Sequence, residues 1–185
     1  LSDDFLWELM QESESAMARD LGIFLEPTEV FAGTEPTEAE LLELGDRPVF
    51  FESGYDAPPN FFSTAQWGIT KLRNKLLISV QRIQVVYPSQ PSPVFTVPQS
   101  WILLDLKGSI VQIVAGSSDA LSAPLSVFTM QALASGYTVP HMVRIRYTAG
   151  LTKDHELYSA VRGLTLRAAA VNLLKNSFIP QSGSI

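Results

Sequence analysis

Apolar residues recur along this chain at two different spacings. In Ser2–Leu21, the residues Leu6, Leu9, Met10, Met17 and Leu21 recur at helical spacing, which predicts an amphipathic helix. Ser2 is placed to cap it, and Asp3 and Asp4 sit at the positive end of its dipole. Gly22 then supplies a left-handed stop. Residues 26–48 are rich in Glu, Pro and Thr, with a short helix expected from Thr37–Glu40 to just before Gly45. The acids here read as a solvated face. Pro58-Pro59 marks a turn among Phe50, Phe51, Tyr55, Phe61, Phe62 and Trp67. Those aromatics read as core or interface packing, because base stacking calls for interleaved Lys and Arg.

The period changes to two in Lys75–Tyr87. Ile78 and Val80 alternate with Ser79 and Gln81, then Ile83 and Val85 with Arg82 and Gln84. The change of phase predicts a strand with a bulge or bend. Pro88–Pro93 closes it as a rigid loop, and Lys107-Gly108 is a hairpin-turn signal between Trp101–Leu106 and Ser109–Val114. Lys75–Val114 is therefore expected to form one small antiparallel sheet. A small-residue connector follows, with a short helix over Leu125–Ala134, and Met142–Tyr147 alternates again and should return to the sheet.

Asp154–Asn176 has the clearest helical pattern, with Asp154 as the expected N-cap. Leu157, Val161, Leu164, Ala168 and Val171 form one stripe; Leu166, Ala170, Leu173 and Leu174 form a second. A helix apolar on two sides needs cover on two sides. The N-terminal helix can cover one, leaving the other to the sheet or to a neighbouring subunit. Leu166, Ala170, Leu173 and Leu174 are therefore candidate interface residues. Pro180 ends the helix before a polar tail.

Composition narrows the function. The 185 residues hold no cysteine, which removes thiol nucleophiles and thiolate metal sites. Charged residues are 17%, low for a soluble domain, as suits large protein contacts or a weakly charged monomer. The longest apolar runs fall far short of a membrane span. The start lacks the basic-then-apolar order of a signal peptide, and its missing Met is expected of a trimmed chain. Residues 1–60 hold fifteen acids against Arg19 and Arg47, a formal −13; residues 61–185 carry +7, giving the net −6. Two opposed poles suit either head-to-tail packing of copies or pairing within one fold. An acidic balance disfavours general nucleic-acid binding.

The search for catalytic chemistry is mostly negative. His155-Glu156 is not followed by a second His at the zincin spacing, and His141 and His155 are the only histidines. No glycine belongs to a phosphate-cradling pattern, and Gly-x-Ser-x-Gly is absent. No metal or cofactor is expected, and the chain reads as a structural subunit, not an enzyme. A small hydrolase is the alternative from another class; it would need His141 or His155 in a cleft beside an acid and a nucleophile.

In the C-terminal half, the strands Val80–Tyr87 and Trp101–Asp105 are followed by Val143-Arg-Ile-Arg-Tyr-Thr-Ala-Gly150 and a long Ala/Leu helix. This order resembles the head–tail connector, or adaptor, family of tailed bacteriophages. Tyr147 through Gly150, leading into the helix, is the most specific piece. Tyr147 is placed to anchor the strand end, and Gly150 to permit the backbone turn. The chain departs from the family in lacking a Pro in Leu151–Asp154 and in its longer acidic segment.

The resemblance implies a single α+β domain over 1–185: a helical bundle with an inserted small antiparallel β-sheet. Its parts would be a helix at 1–25, an acidic, aromatic loop-rich segment at 26–70, a β insert at 75–147, a helix at 154–177 and a docking tail at 178–185. It further implies a virion neck protein, assembled in the host cytoplasm. About twelve copies would form a ring below the portal, contact head-closure or tail proteins and extend the channel for double-stranded DNA without reading its sequence. Phe178, Ile179, Pro180, Gln181 and Ile185 would belong to the portal-docking arm. If the acidic pole lines the channel, Glu38, Glu40 and Glu43 would face the DNA. A head-closure or tail-completion protein is the alternative within the virion class.

Overall fold

Thr37 shows how local sequence sets the first crossover. Its side chain accepts from the Glu40 backbone N–H at 3.2 Å while its own N–H donates to Glu40 Oε2 at 2.9 Å, a reciprocal capping box. The helix Glu38–Leu44 (α2) starts there and stops at Gly45, as its sequence predicts. It connects Thr28–Ala32 (β1) to Val49–Glu52 (β2), which pair in parallel. Parallel neighbours need such a crossover, because a tight turn cannot join them.

The computed structural model describes residues 3–58, 61, 68–87, 92–114 and 137–178. They form two compact units: Pro27–Gly150, and Leu1–Glu26 with Leu151–Ile185.

The first unit is built on a six-stranded mixed sheet. Its centre is Val139–Ala149 (β9), antiparallel to β1 on one side and to Leu77–Val86 (β5) on the other. β2 lies outside β1, Pro93–Thr96 (β6) outside β5, and Tyr55–Ala57 (β3) pairs the first half of β9. Register puts Val30, Val80 and Tyr147 side by side on one face, and Phe31, Arg82 and Arg146 on the other. Two extra residues in β5, Ile78 and Gln81, shift the register against β9; the expected bulge is present at the change of phase. A second, three-stranded sheet holds Thr70–Lys71 (β4), Ile110–Ile113 (β8) and Ile102–Asp105 (β7), in the order β4-β8-β7. Asp105 Oδ1 accepts from the backbone N–H groups of Lys107 and Gly108 and closes the predicted hairpin.

This corrects the expected fold class. The chain is not a helical bundle with a small antiparallel insert: it is mixed α/β, with three helices and two sheets among the described residues. The β region begins at residue 28, inside the segment read as acidic loop, and Lys75–Val114 divides between two sheets. β1 was hidden because all five of its residues are buried, so the polar–apolar alternation of a half-exposed strand is missing.

The second unit is a pair of helices, Asp3–Leu21 (α1) and Tyr158–Phe178 (α3). Gly22, at φ 62°, ends α1 as its sequence predicts, and the Ile23 N–H returns to the Ala18 carbonyl. α3 begins four residues after Asp154, so that residue is not its cap; Lys153–Leu157 form turns. The Leu151 N–H bonds the Phe24 carbonyl and ties the two segments together. The Ser2 cap, Pro59, Phe62, Trp67, most of the Pro88–Pro93 loop and the Leu125–Ala134 helix lie outside the described residues.

Candidate assembly interface

α3 presents more apolar surface than its own unit covers. α1 packs along a line through Val161 and Thr165, both buried. Thr165 and Ser13 return their hydroxyls to the carbonyls four residues back, and Asn172 Nδ2 donates to Ser13 Oγ at 3.3 Å. That line takes in Val161 of the first predicted stripe and leaves Leu164 and Val171 on one flank and the second stripe on the other. Leu164, Leu166 and Val171 are each 48% exposed and Leu174 is 56% exposed. On α1, Trp7 is 61% exposed.

The flank holding the second stripe is concave. A cavity of about 200 Å³ lies among Leu6, Leu9, Met10, Leu166, Ala170 and Leu173. A second, of about 170 Å³, shares Met10 and Leu166 and extends toward Leu25, Leu151 and Tyr158, with Glu14 and Arg162 at its wall. Three of the four predicted interface residues therefore line or flank one groove, with Leu174 exposed further round α3. Leu166, Ala170 and Leu173 share this side of α3 through helical spacing; that Leu6 and Met10 meet them here depends on how α1 packs.

The strand end at Tyr147 is held by a buried polar cluster. Tyr147 is fully buried, and its hydroxyl donates to Glu52 Oε1 at 3.0 Å and accepts from Asn74 Nδ2 at 2.8 Å. Tyr55 donates to the same Glu52 oxygen at 2.6 Å and accepts from the Arg73 backbone N–H at 3.0 Å. Burial pushes the Tyr147 hydroxyl up to about 12, with Glu52 adding to the shift against the hydrogen bonds of Tyr55 and Asn74. Burial and the same carboxylate push Tyr55 further still. Gly150 follows at φ 132°, where the chain leaves the sheet and its N–H bonds the Leu76 carbonyl. Tyr147 lies within β9, Gly150 follows its end, and α3 starts at Tyr158.

The acids of residues 26–48 are not all solvated. Glu29 and Glu40 are buried. Arg146 Nε donates to Glu29 Oε1 at 2.6 Å and its NH1 to Glu40 Oε1 at 3.0 Å; Arg82 NH1 reaches the same Glu40 oxygen at 2.7 Å. Thr148 Oγ1 donates to Glu29 Oε2 at 2.8 Å. Burial alone would raise the Glu40 carboxyl, but the Thr37 N–H and the two guanidinium groups outweigh it and hold it below its ordinary value. Arg146, opposed by burial, is held protonated by Glu29 and Glu40. At these residues the two charge poles meet within one chain. Glu40 cannot face a channel while so bonded; Glu38 and Glu43 are exposed. The 146-to-29 pairing spans 117 residues, and no local signal announces it.

His141 and His155 line none of the described cavities. The His141 N–H donates to Asp56 Oδ1 at 2.9 Å, and its Nδ1 lies 3.2 Å from the Gly54 carbonyl. His155 Nδ1 accepts from the Leu157 N–H at 3.2 Å in the turn before α3. Among the described residues no acid–histidine cluster could hold a metal ion, and no helix is long and apolar enough to cross a membrane. Ile179, Pro180, Gln181 and Ile185 lie outside the described residues, as does the Phe178 side chain. No family model matches the chain, and no curated protein matches it.

Proposed function

We propose that this chain is a structural subunit of a tailed-phage neck, assembling in a ring of about twelve copies that joins the portal to the tail and passes DNA. The observation that carries the reading is the apolar surface that α3 leaves open on both of its flanks. Leu164, Leu166, Val171 and Leu174 stay about half exposed in the folded chain. A fully buried side chain of this size is worth roughly 1.5–3 kcal/mol, so covering that surface with a sister copy drives assembly. The Tyr-Thr-Ala-Gly strand end, with Tyr147 anchored and Gly150 in its unusual conformation, supports the connector resemblance.

The size of the Pro27–Gly150 β unit favours a second reading, a head-closure or tail-completion subunit, since such proteins are expected to be richer in β structure. One experiment separates the two. The full chain is incubated with purified portal rings and imaged by electron microscopy. An added tier of copies on the portal supports the connector. Tiers on tail assemblies alone favour the second reading, and binding to neither removes both. Under the connector reading, deleting Gln181–Ile185 leaves the fold intact and weakens portal attachment.

A further inference from the structure

The crossover between β1 and β2 is fastened to the sheet through one side chain above all. Of the seven residues of α2, only Glu40 and Leu44 are buried; Leu41 is 46% exposed and Leu42 83%. So short a helix has no stability of its own in water, and α2 depends on what these two residues hold. Leu44 is its one buried apolar side chain. Glu40 both starts the helix and attaches it. Its Oε2 accepts from the Thr37 N–H at 2.9 Å and from Thr37 Oγ1 at 3.1 Å. Its Oε1 accepts from Arg82 on β5 at 2.7 Å and from Arg146 on β9 at 3.0 Å. Donors converge on both oxygens, an arrangement that suits the ionised carboxylate, which only accepts. The other charged groups here are Glu29 on β1, bonded to Arg146 Nε, and Glu43 on α2, 3.8 Å from Arg146 NH2 and 73% exposed.

The ends of the crossover are held separately. The Gly33 N–H bonds the Glu52 carbonyl at 2.8 Å and the Glu29 N–H bonds the Pro48 carbonyl at 2.9 Å, so β1 and β2 can stay paired when the chain between them is not helical. Gly33 at φ 72° and Gly45 at φ 57° stand on either side of α2. Beside the helix a cavity of about 580 Å³ lies among Phe31, Pro36, Leu41 and Phe51. Phe31 is fully buried and stacks on Phe51 at 6.0 Å.

We infer that α2 is an acid-released strap: protonation of Glu40 frees the crossover between Gly33 and Pro48 as a unit and uncovers Phe31 and Phe51, while the six-stranded sheet stays folded. The inference stands apart from the neck reading. One proton removes the charge that both guanidinium groups share and weakens the capping box, so the start of the helix and its attachment fail together. Arg146 keeps its 2.6 Å bond to Glu29, which leaves β9 joined to β1. The direction follows from the carboxyl being held below its ordinary value: the strap is fastened at neutral pH and released as pH falls through the folded value.

Hydrogen exchange of the full chain, read by mass spectrometry from about pH 7 to about pH 4 and corrected for the intrinsic effect of pH on exchange, tests this. Residues 38–45 should lose protection on acidification while β9 keeps its own. Glu40→Gln should open α2 already at neutral pH, with exchange there roughly 10- to 100-fold faster, β1 and β9 unchanged and the acid response of α2 gone. Glu43→Gln, at an exposed acid of the same helix, should leave α2 protected. An anilinonaphthalene sulfonate dye should gain fluorescence with the opening, as Phe31 and Phe51 become accessible. The inference is overturned if α2 and β9 lose protection together, if Glu40→Gln keeps α2 protected or keeps its acid response, if Glu43→Gln opens α2 equally, or if α2 opens without binding dye. Should Glu40→Gln not fold, the wild-type pH series decides alone.

Discussion

The Arg146 guanidinium donates Nε to Glu29 at 2.6 Å and NH1 to Glu40 at 3.0 Å, joining the central strand β9 to both β1 and α2. Each carboxylate also has other partners: Thr148 for Glu29, Thr37 and Arg82 for Glu40. Removing the shared cation leaves buried carboxylates short of charge, which typically costs about 3–5 kcal/mol. Arg146→Met should therefore lower the denaturant midpoint sharply. Arg82→Met, at a side chain 28% exposed, should lower it by less. Equal effects would show that Arg146 is not the centre of the cluster.

Glu40 sets a direction for acid sensitivity. Its folded-state pKa lies below the ordinary value of about 4.3. Its contribution is then complete above that value and is lost as pH falls through the lower folded one. Thermal unfolding followed from pH 6 downward should show this loss, and Glu40→Gln should remove that part of the slope. An unchanged slope would separate Glu40 from the acid response.

The tyrosine pair acts at the other end of the scale. Tyr147 is raised to about 12 against about 10 when unfolded, so its stabilisation is full below pH 10 and is lost as pH climbs from 10 to 12. The loss is on the order of 2–3 kcal/mol. Tyr147→Phe should be less stable at neutral pH, because Asn74 and Glu52 lose a partner, yet should fall less steeply above pH 10. Ultraviolet titration of phenolate against unfolding checks both.

Two glycines should answer oppositely to the same change. Gly150 sits at φ 132°, a conformation that side chains rarely adopt, and Gly150→Ala should cost about 1–3 kcal/mol. Gly163 lies inside α3 with open space where a Cβ would stand, and Gly163→Ala should gain about 0.4–1 kcal/mol. Melting temperatures of the two variants decide the matter.

What could be read ahead of the structure was local. α1 with its Gly22 stop, α2 with its cap at Thr37, the bulged β5 and the hairpin at Lys107-Gly108 each carry their cause within a few residues. The paired stripes of α3 also showed, because helical spacing exposes them directly. β1 did not, since burial on both faces leaves no alternation and the strand opens with the polar Thr28 and Glu29. The Glu29–Arg146 pair could not, because it joins residues 117 apart and both ends look like surface charge. Reading those acids as solvated followed from composition, and a crossing guanidinium overrode it.

The open apolar surface of α3 decides whether this chain is a component of something larger. Sedimentation equilibrium of the full, unmodified chain across a wide concentration range measures that directly. The expected result is a species heavier than twice 20.3 kDa that grows with concentration. A single 20.3 kDa species at every concentration, with Leu166 and Leu174 still open to water, would contradict it.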